Sequence, residues 1–175
     1  MSGYSQLCSW VIHKGIEIGV FKMKFLIREA NKNDISSIVE MAQGFYNEAI
    51  KQLELNYSPK DYGKYILFLI ENTYTTVLVL EYDKKIVGTI AGIVAPWFMA
   101  YKDVVLTEQW IWVEPGYRKK GAFMELLREL ISWGKRLGAN KIIVTAIGSG
   151  TEEQVRKFYN NKGFQYMETH FIKEI

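Results

Sequence analysis

Apolar residues at Ile35, Ile38, Val39, Ala42, Phe45, Tyr46 and Ala49 recur at steps of three and four, which predicts a helix over residues 32 to 51 with one buried face. Asn31 is placed to cap its first turn, and Asp34 adds negative charge where the helix dipole favours it. Ser58-Pro59 predicts a second helix start, a capping residue followed by proline, with Tyr62, Tyr65, Ile66, Leu69 and Ile70 on the inner face. After that the period changes. Residues 75 to 81 are rich in β-branched side chains, Asp83-Lys84-Lys85 is a polar turn, and residues 86 to 94 are apolar, so a hairpin is expected. Pro96 is expected to end the second strand and leave Trp97 and Phe98 in a loop; residues 104 to 113 supply another strand, stopped by Pro115-Gly116.

Residues 119 to 137 carry Phe123, Leu126, Leu127, Leu130 and Ile131 along one stripe with Gly138 just past the end, a third helix. A short strand is expected over residues 141 to 146, then the loop Gly148-Ser149-Gly150-Thr151, then a helix carrying Val155, Phe158 and Tyr159. Gly163 breaks that helix, and a terminal strand is expected from Phe164. This order of elements predicts one mixed α/β (α+β) domain. The domain pattern begins near Met23, so residues 1 to 22 read as an N-terminal extension, with residues 23 to 175 as the domain. His13, Lys14 and Glu17 interrupt the apolar residues of the extension, which leaves room for neither a signal-peptide core nor a membrane span of about 20 residues.

Composition changes this picture little. The chain has 175 residues, 49% of them hydrophobic and 23% charged, which suits a single globular core. A net charge of +3 is too slight to argue for a nucleic-acid partner. Cys8 is the only cysteine, which rules out an intrachain disulfide and a thiolate zinc cluster; with only His13 and His170, a histidine-rich metal site is not expected either. A reducing, cytoplasmic setting fits this usage best.

Candidate chemistry gathers at one junction. The strand ending Trp110-Ile111-Trp112-Val113 passes through Glu114-Pro115-Gly116-Tyr117-Arg118-Lys119-Lys120-Gly121-Ala122 straight into the third helix. Free backbone N–H groups and the positive end of a helix dipole make such a turn an anion site, to which Arg118, Lys119 and Lys120 add charge. Gly121 lets a phosphate group approach the backbone closely. Solvated surface is the alternative reading of the same basic residues.

Here the sequence resembles the GNAT superfamily of acyl-CoA-dependent N-acyltransferases over residues 24 to 175. Ile27-Arg28-Glu29-Ala30 with Asp34-Ile35 is similar to that family's first strand and helix start. Val79 with Gly88-Thr89-Ile90 is similar to its hairpin, and Phe158-Tyr159-Asn160-Asn161-Lys162-Gly163-Phe164 to its closing Tyr-x-x-x-Gly-Phe element. The resemblance implies a splayed sheet flanked by helices and acetyl-CoA, or another acyl-CoA, gripped between two central strands. It makes Ile111, Trp112 and Val113 the pantetheine contacts, through the backbone of Ile111 and Val113, and Arg118, Lys119, Lys120, Gly121, Ala122 and Phe123 the pyrophosphate loop. Two positions depart from the family pattern: Phe123 stands where a small residue is usual, and Glu152 where asparagine is common. The altered loop is similar to that of a phage and bacterial subgroup.

The implied reaction moves acetyl to a primary amine of a small molecule, peptide or protein by direct attack in a ternary complex. Presenting a lysine-like amine of pKa ~10.4 in neutral form at pH 7 costs roughly 4.6 kcal/mol, against about 1.4 for an α-amine, so a base is useful. Glu108, on the strand before the basic turn, is the candidate base, with an ordinary strand carboxylate as the alternative. Tyr159 occupies the family's position for protonating the departing thiolate; by spacing alone it is a core aromatic. Trp97 and Phe98 are the candidate acceptor contacts, whereas Trp110 and Trp112 alternate onto one strand face and are expected to pack. A non-catalytic CoA-binding or protein-interaction domain on the same fold is the competing reading. Neither a nucleic acid nor a membrane is expected as partner.

Overall fold

The structure, a computed structural model, describes residues 24–146, 152–170 and 172–173. The expected extension over residues 1 to 22 and the loop with Ser149 and Thr151 lie outside the described residues. Five strands form one sheet in the order β1 (Leu26–Glu29), β2 (Thr75–Tyr82), β3 (Lys85–Trp97), β4 (Ala100–Val113) and β5 (Lys141–Ile143). Neighbours are antiparallel up to β4, while β5 runs parallel to β4. Among the described residues the α-helices are α1 (Ile35–Phe45) and α2 (Pro59–Glu71) on one face of the sheet, α3 (Ala122–Arg136) on the other, and α4 (Glu152–Asn160), which packs against α3 through Phe158. No helix among the described residues is long and apolar enough to cross a membrane.

Both sheet faces are buried, which is why β2 reads as a nearly continuous apolar run. Leu78 and Leu80 join Ile90, Leu106, Leu126 and Leu130 in the core beneath α3. Val77 and Val79 point the other way, into a second core with Ile38, Ile66, Leu69 and Trp110 beneath α1 and α2. Helix α3 sits close on the sheet because Gly134 faces Leu106; a Cβ there would lie 2.7 Å from that leucine.

The caps expected from sequence are present. Asn33 N–H donates to Asn31 Oδ1 at 2.9 Å and Asn31 N–H to Asp34 Oδ2 at 2.8 Å, while Asp61 N–H donates to Ser58 Oγ at 3.3 Å. Arg28 locks this corner, donating to Asp34 at 2.7 and 2.9 Å and to Glu81 at 2.9 Å; its guanidinium holds the Asp34 carboxyl below the usual carboxylate range.

Several expected boundaries move. The single helix over residues 32 to 51 is a 3₁₀ turn, then α1, then a π turn at Tyr46–Ile50 and a 3₁₀ turn at Lys51–Leu53. Apolar spacing reports the buried face and is insensitive to these changes of pitch. The third helix starts at Ala122 after a 3₁₀ stretch, Pro115–Lys120. Strand β3 continues through Pro96, paired with Val104, to Trp97, which pairs with Ala100 after a register shift between the two residues. Trp97 and Phe98 therefore belong to the tip of a tight β3–β4 hairpin instead of a loop. No strand follows Phe164 among the described residues. Phe164 packs into the core under α3, but residues 165 to 170 are mostly exposed and engage each other locally, as in the Tyr166–Thr169 hydrogen bond.

Candidate active site

Strand β4 carries the site, and a β-bulge divides it. Gly92 pairs with Glu108 and Ala91 with Trp110, so Gln109 is the extra residue. Before the bulge β4 has partners on both edges, with Val105, Leu106 and Thr107 paired to Lys141, Ile142 and Ile143 of β5. Beyond Thr107 the β5 ladder stops and the two strands part.

The edge left open by this splay can be identified group by group. Glu114 N–H donates to Val87 C=O at 2.9 Å, and alternation along an antiparallel ladder then turns the N–H and C=O of Trp112 toward β3. Those of Ile111 and Val113 face the opposite way, into the cleft. Arg118 Nε donates to Val113 C=O from that side at 2.8 Å, as this polarity requires. Trp112 contributes neither backbone nor side chain to the cleft. Its ring is buried beside Gly44 and Phe45, with the Arg118 guanidinium 4.4 Å from its centroid.

Glu108 lies at the base of the splay, 5% exposed, and accepts a hydrogen bond from Thr145 N–H at 3.0 Å. Burial pushes its carboxyl up to about 7, against the smaller opposing effect of that hydrogen bond. Tyr159, on α4, is half-buried, and its hydroxyl is pushed up to about 12 by burial and by the Glu108 charge.

At the other end of the open edge stands the basic turn. Gly121 has φ +84°, a conformation that favours glycine, and a Cβ there would meet nothing within 4 Å. The space is open where the N-terminus of the 15-residue α3 presents its free N–H groups. Lys119 and Lys120 are exposed, Lys120 Nζ lying 5.1 Å over the Tyr117 ring. Ala122 is fully buried, which leaves its backbone alone to contact a ligand. Phe123 turns toward α4 and packs edge-on against Phe158, with centroids 5.8 Å apart, and Phe158 contacts Tyr159. The bulky side chain thus helps to build the wall that carries Tyr159. These features fit a pantetheine arm along the Ile111 and Val113 edge and phosphates at Gly121.

Trp97 and Phe98 are not brought to this point. Five residues of β3 separate Trp97 from Gly92, the partner of Glu108, or roughly 16 Å at strand rise. The aromatic groups near the bulge are on α2 instead. Tyr65 Oη donates to Gln109 Oε1 at 2.9 Å, and Tyr62 and Tyr65 both pack on Trp110. Sequence reasoning placed these tyrosines inward without linking them to the site; the bulge that creates the link leaves no local signature. His170 pairs with Glu168 at 3.1 Å.

The comparisons agree with this geometry. A transcriptional regulator from Bacillus halodurans superposes with a TM-score of 0.70 at 18% identity, over 87% of this chain and 100% of that one. An acetyltransferase from Clostridium acetobutylicum, solved with acetyl-CoA, gives 0.67 at 19% identity, over 86% and 96%. An aminoglycoside acetyltransferase from an uncultured soil metagenomic sample gives 0.63 at 16% identity, over 86% and 96%. At such identities the likeness is one of fold. No curated protein matches the sequence. The family model of the GNAT acetyltransferases matches residues 35–164, nearly three quarters of the chain, spanning both the bulged strand and the basic turn. The chain belongs to the GNAT acetyltransferase family and is an acyl-CoA-dependent N-acetyltransferase.

Proposed function

We propose that the protein transfers acetyl from acetyl-CoA to a primary amine by direct attack in a ternary complex, with Glu108 as base and Tyr159 as hydrogen-bond donor to the departing sulfur. The observation that carries this reading is a carboxyl only 5% exposed, held by the Thr145 N–H at the point where β4 and β5 part. Acetyl-CoA, when bound, supplies a thioester whose carbon accepts the amine as the carbon–sulfur bond breaks. The backbone of Ile111 and Val113 orients the pantetheine arm. The N–H groups at the start of α3, with Lys119, Lys120 and Gly121, receive the phosphates.

Proton arithmetic assigns the two side chains different work. Glu108 near 7 is about half ionised at neutral pH and accepts the amine proton as the carbon–nitrogen bond forms. Tyr159 near 12 is a weaker acid than a thiol of pKa ~8.5, so full transfer from it is uphill by roughly 5 kcal/mol. Its hydroxyl therefore stabilises developing charge on sulfur, and the proton gained by Glu108 passes to the thiolate, a downhill step. Protons balance and the side chains return to their starting states.

A small-molecule amine is the favoured acceptor class, in keeping with the aminoglycoside enzyme of similar fold. The test is the pH dependence of kcat/KM for acetyl-CoA and a panel of small amines. In the wild type it should rise through a limb near pH 7 that disappears in Glu108→Gln, with kcat down 10²- to 10⁴-fold. Tyr159→Phe should lower kcat by tenfold or more while keeping the limb. Full turnover in both variants would sink the assignment.

A further inference from the structure

We propose that Glu48 is a positioning residue for acyl-CoA binding, acting through Arg118 to hold the phosphate-side turn in shape from the α1 side of the sheet. The inference rests on the reading of residues 115–121 as the cofactor turn. Arg118, expected from sequence to add charge around the phosphates, is committed elsewhere. Its Nη1 and Nη2 donate to Glu48 Oε1 and Oε2 at 2.8 and 2.9 Å, a bidentate pair. Its Nε donates to Val113 C=O, and its flat face covers Trp112. The fork, the Nε edge and one face of the guanidinium are thus all engaged, an arrangement that a lysine cannot reproduce.

These contacts tie the π turn, the end of β4 and the basic turn together, beside the Phe45–Trp112 ring contact. Glu48 lies in the π turn Tyr46–Ile50, whose Ala49 is anchored in the interior while Glu48 reaches across to the turn after β4. Val113 is the last residue of β4 and Arg118 sits three residues before Gly121. Trp112 has an indole N–H without a hydrogen-bond partner among the described residues, so stacking by Arg118 and Phe45 sets its place. Glu48 also neutralises Arg118, which leaves the α3 N-terminus, Lys119 and Lys120 to meet an anion. Both side chains of the pair are about one third exposed, where ion pairs contribute little to stability, so the effect should appear in ligand binding.

The test is steady-state kinetics and acetyl-CoA titration of the full chain with Glu48→Ala, Glu48→Gln, Arg118→Ala and the Glu48→Ala/Arg118→Ala double variant. Glu48→Ala should raise KM for acetyl-CoA about tenfold, leave kcat at saturation within twofold, and leave the unliganded melting temperature near that of wild type. Glu48→Gln, which keeps the shape and part of the hydrogen bonding, should recover part of the loss and guards against a folding defect. The double variant should be no worse than Arg118→Ala, because Glu48 acts only through Arg118. A wild-type or lowered KM in Glu48→Ala, or losses that multiply in the double variant, overturns the proposal while the wild-type turnover still upholds the cofactor reading. Failure of the wild-type protein to bind acetyl-CoA overturns both.

Discussion

The two halves of β4 differ in one respect that decides what each can do. Val105 to Thr107 have neighbours on both edges and lie over the α3 core, while Glu108 to Val113 have a neighbour on one edge only. The first half is ordinary sheet. The second is held by β3 behind it and leaves the Ile111 backbone and the Val113 N–H outside the ladder, while the Val113 C=O accepts from Arg118 and the Glu108 carboxylate from Thr145. A bulge at Gln109 and the end of β5 separate them, and in the second half Trp110, Trp112 and Val113 still serve the core with their side chains.

Substitutions on either side of the bulge should separate the two roles. Leu106→Ala removes a side chain that is 1% exposed and in contact with α3, and should lower stability by about 2–5 kcal/mol while keeping the pH limb near 7. Thermal unfolding and a pH–rate profile of the surviving enzyme check both halves of that statement. Glu108→Gln should do the reverse, losing turnover and gaining stability at alkaline pH. The Glu108 carboxyl is higher in the folded protein, about 7, than its ordinary 4.5, so the folded state holds the proton more tightly. The stability this gives is complete below about 4.5 and is lost as pH rises through about 7. The full span corresponds to about 3 kcal/mol. Glu108→Gln should flatten that part of the melting curve against pH, and an unchanged slope would count against the burial of a titrating carboxyl. Smallest is Gly121→Asp, which forces a side chain into a left-handed conformation and should lower stability by about 1–2 kcal/mol. The same change should abolish the acetyl-CoA melting shift, which in the wild type corresponds to about 2.7 kcal/mol at a ligand concentration of a hundred Kd.

The contrast also explains what was legible in the sequence. Helix α3 apart from its first turn, the Asn31 and Ser58 caps and the 83–85 hairpin rest on local periodicity and turn chemistry, and they stand as read. Tyr159 was proposed from a motif and Glu108 from its place on the strand before the basic turn; Glu108 lies where β4 and β5 part and Tyr159 is half-buried on α4. Gln109, Tyr65 and Glu48 were not found. Each matters through a partner 44 to 70 residues away, and nothing near them in sequence reports that distance. Trp97 and Phe98 were drawn toward the site because Pro96 was expected to leave them in a loop, whereas their hairpin carries them along β3 to its tip.

Strand β4 is in addition a measuring rod. Glu108 and Val113 stand five residues apart on one extended stretch, roughly 17 Å at strand rise, with the bulge shortening the path slightly. A donor that anchors its anionic end at Gly121 and reacts beside Glu108 must carry its acyl carbon across that whole interval. A compact acyl phosphate falls short of it, so on the proposed placement the length of a strand would select a long-armed thioester before any side chain has touched the acyl group.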